Sequence, residues 1–171
     1  MNKALFLDRD GVINVEVDYL YEIDKFIFID GILDLCRYYQ QNGYIIIVVT
    51  NQSGIARGYY SEAQYHMLTD WMIKEFANNG ITITRVYHCP HHPDISGVCE
   101  CRKPNPQMLL DAKDDFDIDM SQSLLIGDKE RDIEAALNAG LSETYLFDEN
   151  SCVSSSKASR IVDKLDDIWK V

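Results

Sequence analysis

Basic charge is what this sequence has least of. Across 171 residues, 16 Lys and Arg stand against 28 Asp and Glu, a formal net charge of -12. A general nucleic-acid binder needs a basic footprint to neutralise phosphates, so that class is excluded. The chain also lacks any apolar run long enough to cross a bilayer. Its first residues, MNKALFLDRDGVIN, carry charges where a signal peptide would be continuously apolar. It has no internal repeat, low-complexity tract or long linker. The expectation is therefore one cytoplasmic domain over residues 1–171, monomeric, with no nucleic-acid or membrane partner. The acidity poses a problem for any anionic substrate, because local cations or a metal must reverse the field where it binds.

What is present alternates between strand and helix. Apolar or β-branched runs fall at residues 4–8, 44–51, 83–88, 123–128 and 144–147. Their length and continuity suit a buried parallel sheet. Helical spacing of apolar residues covers 31–41, 62–78 behind an N-cap at Ser61, a segment opened by Pro106, and 130–138. A last amphipathic helix is expected over 159–169. Strand–helix alternation implies a doubly wound α/β fold, whose sites lie beyond the carboxyl ends of the strands. Three of the strands end in chemistry, at Asp8, Thr50 and Asp128.

The segment DRDG sets Asp8 and Asp10 two residues apart, so in extended backbone both carboxylates face one volume. An ionised Asp can attack phosphorus, and a neighbouring one can exchange protons with the leaving oxygen and with water. A magnesium ion fits such carboxylates together with a phosphate oxygen. The same four residues are also common in a polar turn, and alone they leave both readings open. After the second strand, Thr50, Asn51, Gln52 and Ser53 offer hydroxyl and N–H donors to phosphate oxygens. In GDKERD, Asp128 can ligate a metal, and Asp132, one helical turn on, can orient a neighbour.

Soft ligands crowd into CPHHPDISGVCEC. Cys89, His91, Cys99 and Cys101 give a C-x-H-x7-C-x-C spacing, a closed structural zinc site pinning a loop with little core of its own. His92 reads as solvated or substrate-facing, Cys36 as core, and Cys152 as an unpartnered loop residue. Arg102 and Lys103 follow the last cysteine directly, so the metal would place two cations that suit a phosphate.

These motifs, in this order, resemble the haloacid dehalogenase superfamily: Asp8-Arg9-Asp10, Thr50, Lys103 and the GDxxxD of Gly127 to Asp132. The resemblance implies a three-layer Rossmann-like core with a parallel sheet, a zinc-binding loop at 89–101 and no large cap domain. It implies a phosphomonoester hydrolase with Asp8 as nucleophile, Asp10 as acid and base, and Thr50 and Lys103 stabilising the phosphoryl group. Mg²⁺ would be held by Asp8, the Asp10 carbonyl and Asp128. DRDGVIN, EIDKFIFIDG, VVTNQSGIARG, YHCPHHP and CRKPNPQMLL are similar to the zinc-bearing, capless branch, and within it to the heptose-bisphosphate phosphatases more than to the histidinol-phosphate phosphatases. A phosphorylated sugar is then the implied substrate. Its contacts would come from Asp8, Arg9, Asp10, Glu16, Val17, Asp18, Tyr19, Thr50, Asn51, Gln52, Ser53, Arg102, Lys103 and Lys129. With no cap, specificity is expected from residues 16–19, 54–58 and 94–98.

Overall fold

Strands form where every residue can be buried whichever way it points. In β1 (Lys3–Leu7), Leu5 and Leu7 face one layer of core while Ala4 and Phe6 face the other. β2 (Tyr44–Asn51) repeats this, with Ile46 and Val48 on the first side and Ile47 and Val49 on the second. Alternate residues of an extended chain point to opposite faces, so a strand apolar at both parities must be sandwiched. The computed structural model, which describes residues 1–170, shows that sandwich.

Four more strands complete the sheet: β3 (Ile83–Cys89), β4 (Leu124–Gly127), β5 (Glu143–Phe147) and β6 (Arg160–Val162). Their order is β3-β2-β1-β4-β5-β6, and every pairing is parallel. On one face lie α1 (Ile32–Gln41), α2 (Glu62–Asn78) and the short α6 (Asp166–Trp169), which contribute Leu35, Phe76 and Ile168 to the first core layer. On the other lie α4 (Gln107–Phe116) and α5 (Glu130–Asn138), which contribute Leu109 and Ile133 to the second. A single turn, α3 (Pro93–Ser96), sits in the cysteine-rich loop. Between Asp10 and Thr50 the helical elements are α1 and one turn of 3-10 helix at Ile23–Lys25.

The N-terminus of α2 is closed by a reciprocal pair. The Ser61 hydroxyl accepts from the Gln64 N–H at 3.1 Å, and the Ser61 N–H donates to the Gln64 side chain at 2.9 Å. Two donors that the helix cannot satisfy internally are thereby satisfied.

The last expected helix is a correction. Residues 159–169 hold β6 and then one turn of α6. Arg160-Ile161-Val162, two of them β-branched, pairs with Tyr145, Leu146 and Phe147. The Ser159 hydroxyl guides it onto the edge by accepting from the Thr144 N–H at 3.1 Å. The apolar positions Val162, Leu165 and Ile168 are buried as a helix would bury them, so the spacing misled.

The chain builds β1, β2 and β3 in one direction, then returns to the far side of β1 for β4. Ligand sites of open α/β sheets lie at such a reversal. The residues that leave β1 and β4 there are Asp8 and Asp128.

Candidate active site

Asp8 leaves β1 with its N–H donating to the Ile126 carbonyl of β4 at 3.1 Å, so it stays level with the end of that strand. The next residues curl tightly: the N–H groups of Ile13 and Asn14 both donate to the Arg9 carbonyl. Gly11 permits the curl, with φ of +86°. A Cβ at Gly11 would stand 2.2 Å from Asp128 Oδ2, so no other residue fits between the two acidic segments.

Lys103 is the centre of the charge arrangement. It is only 2% exposed, and its Nζ lies 2.9 Å from Asp8 Oδ1, 2.7 Å from Asp132 Oδ1 and 2.8 Å from the Val49 carbonyl. Burial pulls its ammonium down, but Asp132 and Asp8 together outweigh this and hold it above the ordinary value. Its backbone is stapled to β2: the Lys103 N–H donates to Asn51 Oδ1 at 3.0 Å, and Asn51 Nδ2 donates back to the Lys103 carbonyl at 3.3 Å. Asp132 is fixed in turn, since its Oδ2 accepts from the N–H groups of Asp128 and Lys129 at 3.2 and 3.0 Å. A Cβ at Gly127 would stand 2.3 Å from the Asp132 Cβ, so this glycine makes room for that carboxylate.

Oxygens of Asp8, Asp128 and Asp132 gather within 4.8 Å of one another. Burial, then Asp132, pushes the Asp8 carboxyl up to about 6 despite Lys103. Burial, then Asp8 and Asp132, pushes Asp128 up to about 9. Asp128 Oδ1 is buried with no hydrogen-bond partner. Crowded hard oxygens and one orphaned carboxylate atom are the donor set a Mg²⁺ ion takes. The Asp10 side chain stands outside this group. Arg9 Nη2 and Asn14 Nδ2 each donate to its Oδ1 at 3.0 Å, and Gln52 Nε2 donates to its Oδ2 at 3.0 Å.

Above these groups opens a cavity of about 280 Å³. Of the expected contacts, Asp8, Asp10, Glu16, Val17, Asp18, Tyr19, Asn51, Gln52, Ser53, Arg102, Lys103 and Lys129 line it. Two do not. Arg9 is buried beneath, its Nη2 on the Leu20 carbonyl at 3.0 Å, so it positions Asp10 instead of facing a ligand. Thr50 is fully buried, and its hydroxyl accepts from Gln52 Nε2 at 2.9 Å. Nor does the 94–98 segment reach the wall; His92 caps α3 there, its Nδ1 accepting from the Asp94 N–H at 3.2 Å. His92 lies outside the cavity lining, so of the two roles expected of it the substrate-facing one is not met here.

Five of the 16 basic residues line this cavity: Arg57, Arg102, Lys103, Lys129 and Arg131. Burial and the nearby Arg131 pull Arg102 down, a sign that cations crowd at the mouth. Five acidic residues, Asp8, Asp10, Glu16, Asp18 and Asp128, share the lining, so the cations bring the local balance to even in a chain of net charge -12 and leave a bound metal to favour an anion. Arg131, Tyr60 and Asn14 escaped the sequence reading. Arg131 sits inside GDKERD, where its spacing from Asp128 was the available signal. Asn14 is a polar residue in the apolar run VIN, and its full burial explains it. Tyr60 gave no local signal; its hydroxyl reaches Gln52 Oε1 from a loop.

In the cysteine loop, the sulfurs of Cys89, Cys99 and Cys101 converge. Cys89 and Cys101 Sγ are in direct contact, and Cys99 Sγ lies 3.6 Å from each. The His91 ring is not part of that cluster. Its carbonyl accepts from Arg102 Nη1 at 3.4 Å, and Asn105 Nδ2 ties the Cys99 carbonyl at 3.0 Å. The loop thereby abuts the segment that carries Lys103. Cys36 is buried in the core, as expected.

Comparison with known proteins gives concordant results. A family model described as HAD-hydrolase-like matches residues 100–167. The D-glycero-alpha-D-manno-heptose-1,7-bisphosphate 7-phosphatase of Campylobacter jejuni is 54% identical over 147 residues, covering 86% of this chain and 83% of that protein. The D-glycero-beta-D-manno-heptose-1,7-bisphosphate 7-phosphatase of Escherichia coli is 48% identical, covering 84% of this chain and 78% of that protein. Among solved structures, the D,D-heptose 1,7-bisphosphate phosphatase of B. bronchiseptica, complexed with magnesium and phosphate, superposes with a TM-score of 0.86 at 31% identity. It covers 97% of this chain and 95% of that one.

Proposed function

The chain belongs to the heptose-1,7-bisphosphate 7-phosphatase family of HAD-like hydrolases, and from that premise we propose that it removes the 7-phosphate of a D-glycero-D-manno-heptose 1,7-bisphosphate through an aspartyl-phosphate on Asp8. The observation that carries the proposal is Asp8 itself, a carboxylate at the switch point gripped by a buried Lys103 at 2.9 Å and opening on a cavity rimmed with cations.

In this reading an Asp8 oxygen attacks phosphorus, forming the Asp8–phosphorus bond as the bond from phosphorus to the sugar oxygen breaks. Asp10 gives that oxygen its proton. Asp10 then takes a proton from the water that displaces Asp8 and releases inorganic phosphate. Arg9, Asn14 and Gln52 hold the Asp10 carboxylate in place for both transfers. Lys103 neutralises charge on the phosphoryl oxygens, and Asp132 holds the lysine there. Thr50 would join them with its own O–H as donor, since its bond with Gln52 occupies only its oxygen as acceptor. Mg²⁺ held by Asp8, the Asp10 carbonyl and Asp128 would screen the repulsion between nucleophile and phosphate. The arginines at the mouth, with Lys129, suit the second phosphate of the substrate.

Zinc is the reading that three converging sulfurs support for the 89–101 loop; His91, whose ring stands outside that cluster, would have to turn inward to serve as the fourth ligand. The direct contact of Cys89 with Cys101 also supports a second reading, a disulfide that leaves Cys99 free.

Steady-state phosphate release from the α and β heptose 1,7-bisphosphates and from histidinol phosphate tests the substrate. The proposal expects one of the heptose anomers to show the highest kcat/KM. A clear preference for histidinol phosphate would sink it.

A further inference from the structure

Outside the cavity lining, between the start of α2 and β3, three side chains that the phosphatase chemistry does not use meet at one point. Glu62 is the first residue of α2, and His66 stands four residues on, on the same helix face. His88 comes from β3, opposite Thr50 in the register. His88 Nε2 lies 3.0 Å from Glu62 Oε2, and His66 Nε2 lies 3.5 Å from the same oxygen. All three ligand atoms fall within 4.8 Å of one another.

We propose that Glu62, His66 and His88 form a second transition-metal site, for Zn²⁺ or a similar divalent ion, that ties the start of α2 to β3. The spacing of both imidazoles from Glu62 Oε2 suits such an ion. Bonds of about 2.0–2.1 Å in a tetrahedron set neighbouring ligands roughly 3.3 Å apart, between the two distances observed. Two imidazoles and one carboxylate are a borderline donor set that suits zinc, nickel or copper better than magnesium. The ligands are also held in advance. The Tyr65 ring stacks on His88 with centroids 4.1 Å apart, and the capping box at Ser61 fixes the turn that carries Glu62. His66 is exposed, so an ion reaches the site from solvent, and its fourth position is left to water.

The test uses protein with the cysteine loop already loaded with zinc and with excess Mg²⁺ to fill the acidic pocket. Calorimetric titration with Zn²⁺ is run on wild type, His66→Ala and Glu62→Gln. One further equivalent is expected in wild type, with a rise in melting temperature. Both variants should weaken it by at least about tenfold and abolish the rise. His66 and Glu62 are both exposed, so the variants fold. Absence of the further equivalent in wild type, or its survival at full affinity in either variant, overturns the site. Neither result bears on the phosphatase reading, which is assayed separately.

Discussion

In the proposed site magnesium must displace a proton to bind Asp128, and burial sets how hard that is. Asp128 is buried beside Asp8 and Asp132, which moves its carboxyl from 3.8 to about 9 in the metal-free protein. The sign follows from the charge. A buried carboxyl with a raised value keeps its proton up to a higher pH and loses it only as pH rises toward that value, and only the ionised form binds a cation. At neutral pH the site is roughly two units below that value, so the apparent Mg²⁺ affinity should be about 100-fold weaker than in alkaline solution, or ~2.7 kcal/mol at 1.36 kcal/mol per unit. Titration calorimetry from about pH 6 to about pH 9 reads this directly, and paired buffers of different ionisation heat count the protons. Affinity should climb by up to about tenfold per unit of pH, with about one proton released per ion near neutrality. An affinity that stays flat over that range, with no proton released, would refute the claim that crowded carboxylates form the metal site.

Two other perturbations follow from the same geometry. Lys103→Met leaves Asp8 and Asp132 buried without their shared cation. It should lower kcat by about 10²–10³-fold and cost roughly 3–5 kcal/mol in urea unfolding. Adding Asp132→Asn should recover much of the stability and none of the activity. Removing zinc with a chelator should loosen the 89–101 loop and lower kcat through Lys103, checked by hydrogen exchange and by assay. Metal analysis should find about one zinc in that loop with all its thiols titratable on zinc release. A disulfide and no loop zinc would favour the oxidised reading.

Much of the architecture was legible because its signals are local. β2 is an eight-residue apolar and β-branched run with the bounds expected of it, and α2 begins at its Ser61 cap. The acidic residues were legible because they end strands. What the sequence hid depends on contacts distant along the chain. Nothing near Thr50 says that Gln52 covers its hydroxyl, and nothing near Arg9 says that Leu20 draws its guanidinium inward. Tyr60 joins the site only because a loop returns it to Gln52. The C-terminal error has another cause. Val162, Leu165 and Ile168 keep helical spacing while the backbone changes from strand to helix between them, so periodicity could not separate the two.

The most direct test of the account is a rapid-quench single turnover with heptose 1,7-bisphosphate labelled at its 7-phosphate, followed by mapping of the labelled peptide. Transient label is expected on Asp8, and no label or turnover in Asp8→Asn. Full turnover in Asp8→Asn, or label that never appears on Asp8, would contradict it.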